Sequence, residues 1–105
     1  MNKVFSKIIA TGSYLPKKIL TNQDIERIVD TSNDWIIERT GIEQRHIAST
    51  EESSVDMAYH ASLDAIESSK IDTQDIDMIV VATTTPERKF PSTAVLLQNK
   101  LDLKN

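Results

Sequence analysis

Cysteine is absent from the 105-residue sequence, which holds only two glycines, three prolines and 5% aromatic residues. Without cysteine there is no disulfide scaffold, no zinc ribbon, no CxxC redox pair and no thiol nucleophile within these residues. Nothing here can form a thioester. The two glycines, Gly12 and Gly41, are too far apart to build a GxGxxG or Walker phosphate loop. No run approaches the ~20 apolar residues of a membrane span, and the first twenty residues lack the apolar stretch of a signal peptide, so a cytoplasmic location is expected. Positive charge is also in short supply, since twelve Lys plus Arg face sixteen Asp plus Glu for a net charge of −4. That balance gives no broad electropositive field, and neither nucleic acid nor a membrane is expected as a partner.

What is present reads as a run of short elements. Val4–Thr11 has the β-branched and aromatic content of a strand, closed by Gly12-Ser13 and Leu15-Pro16. Thr21 followed by Asp24 is a helix-start signal, and Ile25, Ile28 and Val29 carry a short helix to about Val29. A second helix is predicted from Asn33 to about Arg39, with Thr31 or Ser32 as its N-cap and Gly41 just beyond it. Between Ile42 and Thr50, periodicity does not separate a short edge strand from an ordered loop.

From Ser53 or Ser54 to Ser69 a helix places mostly small residues on one face, among them Ala58, Ser62 and Ala65, which lets strands approach its axis closely. Met78–Thr84 is apolar without alternation, the pattern of a parallel strand covered on both faces. Ser92 caps a last helix from Thr93 to about Leu101. The order is a βαβα unit of an α/β fold, with a right-handed crossover expected. Two strands are too few for a stable sheet, so the sheet is expected to be incomplete: either part of a larger fold or a surface that pairs with another chain.

Few residues invite chemistry. His46 and His60 fit no zinc spacing, and no GxSxG elbow presents a serine, so no metal site and no catalytic residue is predicted. Asp72, Asp75, Asp77 and the Glu51-Glu52 pair read as turn and helix-start residues rather than paired acid catalysts. Trp35 and Arg39 are four apart and share a helix face, with the hydroxyls of Thr31, Ser32 and Thr40 nearby. An indole beside a guanidinium makes a platform for a flat base next to a phosphate; the alternative is an edge hydrophobe covered by a stacked arginine. Phe90 lies in the loop after the carboxyl end of the predicted buried strand, where α/β sheets place ligands, or else it anchors that loop on the core.

Longer motifs carry a resemblance. Ile8-Ile9-Ala10-Thr11-Gly12-Ser13-Tyr14-Leu15-Pro16, Thr31-Ser32-Asn33-Asp34-Trp35-Ile36, Arg39-Thr40-Gly41-Ile42 and Arg45-His46-Ile47-Ala48 stand in order. With the stretch Asp75–Thr84 and Phe90-Pro91-Ser92, they resemble the N-terminal third of β-ketoacyl-acyl-carrier-protein synthase III, essentially from end to end. The resemblance implies a partial thiolase-like fold, with residues 1–105 forming the N-terminal portion of its N-terminal domain. It also implies a homodimer that condenses acetyl-coenzyme A, or another acyl-coenzyme A, with malonyl-acyl carrier protein to begin fatty-acid synthesis. Coenzyme A is there a substrate thioester, and no separate cofactor is implied.

In that family Trp35 matches the tryptophan that stacks on the coenzyme A adenine, and Thr31 and Arg39 match contacts to the nucleotide end. Phe90 matches a dimer-interface position reaching the partner's acyl pocket. The catalytic Cys, His and Asn and the basic carrier-protein site have no counterparts in this sequence, so the chain alone is expected to be inactive. A non-catalytic truncated module that pairs with another chain is the alternative. Lys70 and Asp102 stand where the family usually has glycine, so each helix end either takes a left-handed cap on a non-glycine residue or avoids that conformation.

Overall fold

A computed structural model describes residues 2–104, so the first and last residues of the 1–105 span expected as one domain portion lie outside the described residues. The described residues fall into two compact units, 15–52 and the remainder before and after it.

In the unit 15–52, strand β1 (Lys18–Thr21) pairs antiparallel with β2 (Gln44–Ile47), with Lys18 opposite Ile47 and Thr21 opposite Gln44. Between them lie helices α1 (Asn22–Glu26) and α2 (Asn33–Thr40). The stretch 42–50 therefore contains a strand, and its partner β1 is one that residue pattern did not suggest. Helix α1 starts where Thr21 and Asp24 predict: the Thr21 hydroxyl accepts from the Asp24 N–H while the Asp24 carboxylate accepts from Thr21. It ends at Glu26 instead of Val29, because Ile28 and Val29 bend into a turn on the Ile25 carbonyl and stay exposed, leaving no buried stripe to prolong the helix.

The other unit holds α3 (Ser54–Ser69), a short 3₁₀ turn at Thr73–Asp75, and α4 (Thr93–Lys100) packed on α3. Ser53 and Asp56 form a reciprocal capping box on α3, and Ser92 caps α4 by accepting from the Val95 N–H. Leu97 and Val55 are its buried hydrophobic residues. Lys70 and Asp102 follow their helices at φ of 58° and 53°, so of the two alternatives both residues adopt the left-handed conformation.

The two predicted βαβα strands are corrected here. Neither Val4–Thr11 nor Met78–Thr84 is paired as a strand. Met78–Thr84 is not covered on both faces either: Ile79 and Val81 are half-buried, while Met78 and Val80 are 79% and 84% exposed. The physical reason is that a strand needs hydrogen-bonded neighbours at its edges, and apolar content alone does not provide them. Both segments nonetheless lie against the helices, since Ile9, Ile79, Ala65 and Leu97 line one apolar cavity of about 270 Å³.

The two scarce glycines serve different needs. A Cβ on Gly12 would lie 2.1 Å from the Ala61 carbonyl oxygen and 2.4 Å from the Ala65 nitrogen, so the bare backbone is what lets this segment touch α3. Next to it the Ser13 N–H donates to Asp64, 3.0 Å away. Gly41 has open space around it but closes α2 at φ 69°, and it is retained for conformation.

Candidate functional site

Helix α2 is a well-terminated short helix. The Ser32 hydroxyl accepts from the Trp35 N–H at 3.1 Å, Asp34 sits in the first turn and Arg39 in the last, and Gly41 donates back to the Ile37 carbonyl. These charges oppose the helix dipole at both ends. Ile36 is the face turned inward, 5% exposed. Eight residues of isolated helix would be marginal in water, so this face and the contacts at the helix ends must hold it.

The contacts at the ends converge on Asn22, which is fully buried. Its amide nitrogen donates to the Asn33 side chain at 3.1 Å and to the Ile42 carbonyl at 2.8 Å; its oxygen accepts from Arg45 at 2.9 Å. Its backbone N–H donates to the Glu43 carbonyl. A buried amide with both ends engaged costs little, whereas one left unpaired costs about 1–3 kcal/mol. No local spacing points to Asn22, whose side-chain partners are 11 to 23 residues away.

On the outer face of α2, the Arg39 guanidinium carbon lies over the Trp35 ring, 5.7 Å from its centroid. That is the stacked geometry common to both readings of the pair. Trp35 is still 55% exposed, so the arginine leaves much of the indole accessible. Trp35 also lines an open concavity of about 350 Å³ with Asp30, Thr31 and Ser32. Thr31 and Trp35 are thus brought together in one depression, with Arg39 beside the same ring. An anionic group is disfavoured next to Asp30 and favoured beside Arg39, which sets a polarity across the platform.

Phe90 belongs to the other unit and is 89% exposed, so it does not anchor its loop on the core. The anchor is Glu87: its carboxylate accepts from the Val55 N–H at 2.6 Å, in the first turn of α3. Burial pushes the Glu87 carboxyl upward, but hydrogen bonds from the Val55 and neighbouring N–H groups and from Ser53 outweigh it and hold it below its ordinary value. The Ser54 hydroxyl adds a bond to the Thr85 carbonyl. Glu87 could have been suspected only as an acid near a helix start, a signal too common to act on.

Other titratable residues make contacts that hold local structure. His46 bonds the Pro16 carbonyl through Nδ1 at 2.6 Å, and His60 stacks on Tyr14 with centroids 5.0 Å apart. Asp72 accepts from the Gln74 N–H at the start of the 3₁₀ turn, and Glu52 accepts from the Ser49 N–H. The Lys100 ammonium beside Asp56, together with the Ser53 hydroxyl and N–H, holds the Asp56 carboxyl well below the carboxylate range. Among the described residues, no group of three or more His, Asp or Glu could hold a metal ion, and no helix is long and apolar enough to cross a membrane.

No protein-family model matches the chain. Individual proteins do. β-Ketoacyl-[acyl-carrier-protein] synthase III of Xanthomonas oryzae pv. oryzae is 54% identical over 99 residues, covering 94% of this chain and 30% of that protein. The protein of the same name from Wolbachia pipientis wMel is 54% identical over all 105 residues, 32% of its own length. Among solved structures, 3-oxoacyl-[acyl-carrier-protein] synthase III from Aquifex aeolicus VF5 superposes with a TM-score of 0.86 at 49% identity, over 94% of this chain and 32% of that one. The priming β-ketosynthase of the R1128 polyketide pathway gives 0.87 at 34% identity, over 96% and 30%. The chain spans about a third of the length of the relatives it matches.

Proposed function

The chain belongs to the β-ketoacyl-[acyl-carrier-protein] synthase III family, as a partial thiolase-like α/β fold with an incomplete sheet, and from that premise we propose that its outer α2 face receives the adenine nucleotide end of coenzyme A. The observation that carries this is the exposed Trp35 ring, flanked by Arg39 and opening onto the concavity that Thr31 lines. The adenine stacks on the indole surface that Arg39 leaves free, the Thr31 hydroxyl offers a polar contact at its edge, and the phosphates lie toward Arg39 and away from Asp30. Base stacking on an aromatic side chain is worth about 1–3 kcal/mol, so this face alone binds weakly.

The activity it serves is acyl transfer in fatty-acid synthesis, in the cytoplasm, as part of a homodimer: condensation of an acyl-coenzyme A with malonyl-acyl carrier protein. This chain supplies the N-terminal part of that enzyme and is inactive alone, because it holds no cysteine to take the acyl group. Phe90, exposed in the loop tied down by Glu87, meets the second protomer and borders its acyl pocket. An assay of the 105-residue chain for transfer from acetyl-coenzyme A to malonyl-acyl carrier protein is expected to show no turnover; measurable turnover would refute the inactivity. In a complete enzyme, Trp35→Ala is expected to weaken coenzyme A binding by roughly five- to 150-fold in calorimetry, the loss of one stacking contact, and unchanged affinity would refute the platform.

A second reading, a non-catalytic module that pairs with another chain, is favoured by the exposure of Val4, Phe5, Ile8, Met78 and Val80. It predicts a concentration-dependent oligomer by sedimentation, and a strict monomer at high concentration would remove it.

A further inference from the structure

We infer that Asn22 is the positioning residue of the nucleotide platform, an inference that rests on the reading of Trp35 and Arg39 above. The hydrogen bonds of Asn22 go to other residues, Asn33, Ile42, Glu43 and Arg45. Its role follows from where its two donor bonds end: one on Asn33, the first residue of α2, and the other on the carbonyl of Ile42, the residue after the Gly41 cap. One side chain therefore holds both ends of the eight-residue helix that carries the platform. Its acceptor bond goes elsewhere, to Arg45 on β2, so the same amide ties the helix to the strand pair.

The fully buried amide is the kind of group whose orientation is set by its surroundings and which sets theirs in turn. Only Ile36 contributes a buried apolar side chain from α2, which is too little to fix rotation of a short helix about its axis. Rotation matters here because Trp35 and Arg39 follow the helix surface, and turning α2 moves the ring away from the concavity lined by Thr31. Asn22 supplies the missing constraint.

The two ends of the amide can be separated by substitution. Asn22→Asp keeps the shape and the acceptor facing Arg45 but removes both donors to α2. Arg45→Ala removes the acceptor-side partner and leaves the donors. Trp35 is the sole tryptophan, so its fluorescence anisotropy reports platform mobility, and coenzyme A affinity by calorimetry reports its use.

The expected result is a tenfold or greater loss of coenzyme A affinity and lowered anisotropy in Asn22→Asp, with less than a twofold change in Arg45→Ala at matched folded fraction. Should Asn22→Asp not fold, Asn33→Ala, which removes one of the two end contacts, is expected to lose affinity about threefold while its circular dichroism is unchanged. Coenzyme A binding by the parent chain together with unchanged affinity in Asn22→Asp, or in Asn33→Ala where that variant stands in, overturns the positioning role alone. Equal losses in Asn22→Asp and Arg45→Ala also overturn it, since that would mark a general structural residue. Failure of the parent chain to bind coenzyme A overturns the platform and, with it, this role.

Discussion

Residues 15–52 and the helical unit hold shape with different balances of polar and apolar contact. The first closes a pair of four-residue strands and two short helices around a buried polar side chain, Asn22, whose donors and acceptor are all engaged within the unit. The second is held by apolar packing of α3 on α4 and by the close approach at Gly12, yet leaves Val4, Phe5, Ile8, Met78 and Val80 in water. Polar networks specify geometry with few residues, whereas apolar layers need area. A helix face held by the first means can keep its form where sheet segments held by the second find no ladder.

The comparison is broken most easily at its apolar side. Leu97→Ala empties the centre of the α3–α4 contact and is expected to cost about 2–5 kcal/mol, read as faster hydrogen exchange in α3 and α4 amides. An equal loss of protection in β1 and β2 would erase the distinction between the units. Gly12→Ala forces a methyl group against the α3 backbone and is expected to cost about 1–3 kcal/mol by denaturant titration, because the carbonyl it meets cannot move aside.

Lys70→Gly acts in the other direction. Removing the side chain from a residue at φ 58° is expected to add about 1 kcal/mol to the helical unit, seen as a higher melting midpoint; a lowered midpoint would show that the lysine side chain contributes more than its backbone costs.

Acid gives the gentlest perturbation. Hydrogen bonds hold Asp56 and Glu87 at the start of α3, and Asp24 at the start of α1, below their ordinary values of 3.8, 4.5 and 3.8. The folded chain thus binds fewer protons than the unfolded one, so the stabilisation is complete above these values and is lost as pH falls through the folded values. Exchange at the α3 N-terminus, where two such carboxylates sit, is expected to rise more on acidification than at the α1 N-terminus, where one does. The reverse order would show that the Glu87 anchor does not form.

The contrast also explains what could be read from the residues. Helix starts at Thr21 and Ser92, those at Ser32 and Ser53 to within one residue, and the stop at Gly41 were legible because caps are local, involving side chains within three or four positions. Trp35 with Arg39 was legible for the same reason, a spacing of four on one helix. Asn22, Glu87 and the contact of Gly12 with α3 were not, since each joins residues that only the folded chain brings together. The strands misled in both directions: β1 has too few residues to show alternation, while Met78–Thr84 has strand-like content but no paired neighbour.

The central claim, that residues 15–52 present a preformed surface for an adenine nucleotide, is tested most directly by titrating the chain and following the single tryptophan. Coenzyme A is expected to quench Trp35 saturably, while pantetheine, which lacks the nucleotide, is expected to leave it unchanged. Equal responses to the two compounds, or no response to either, would contradict it.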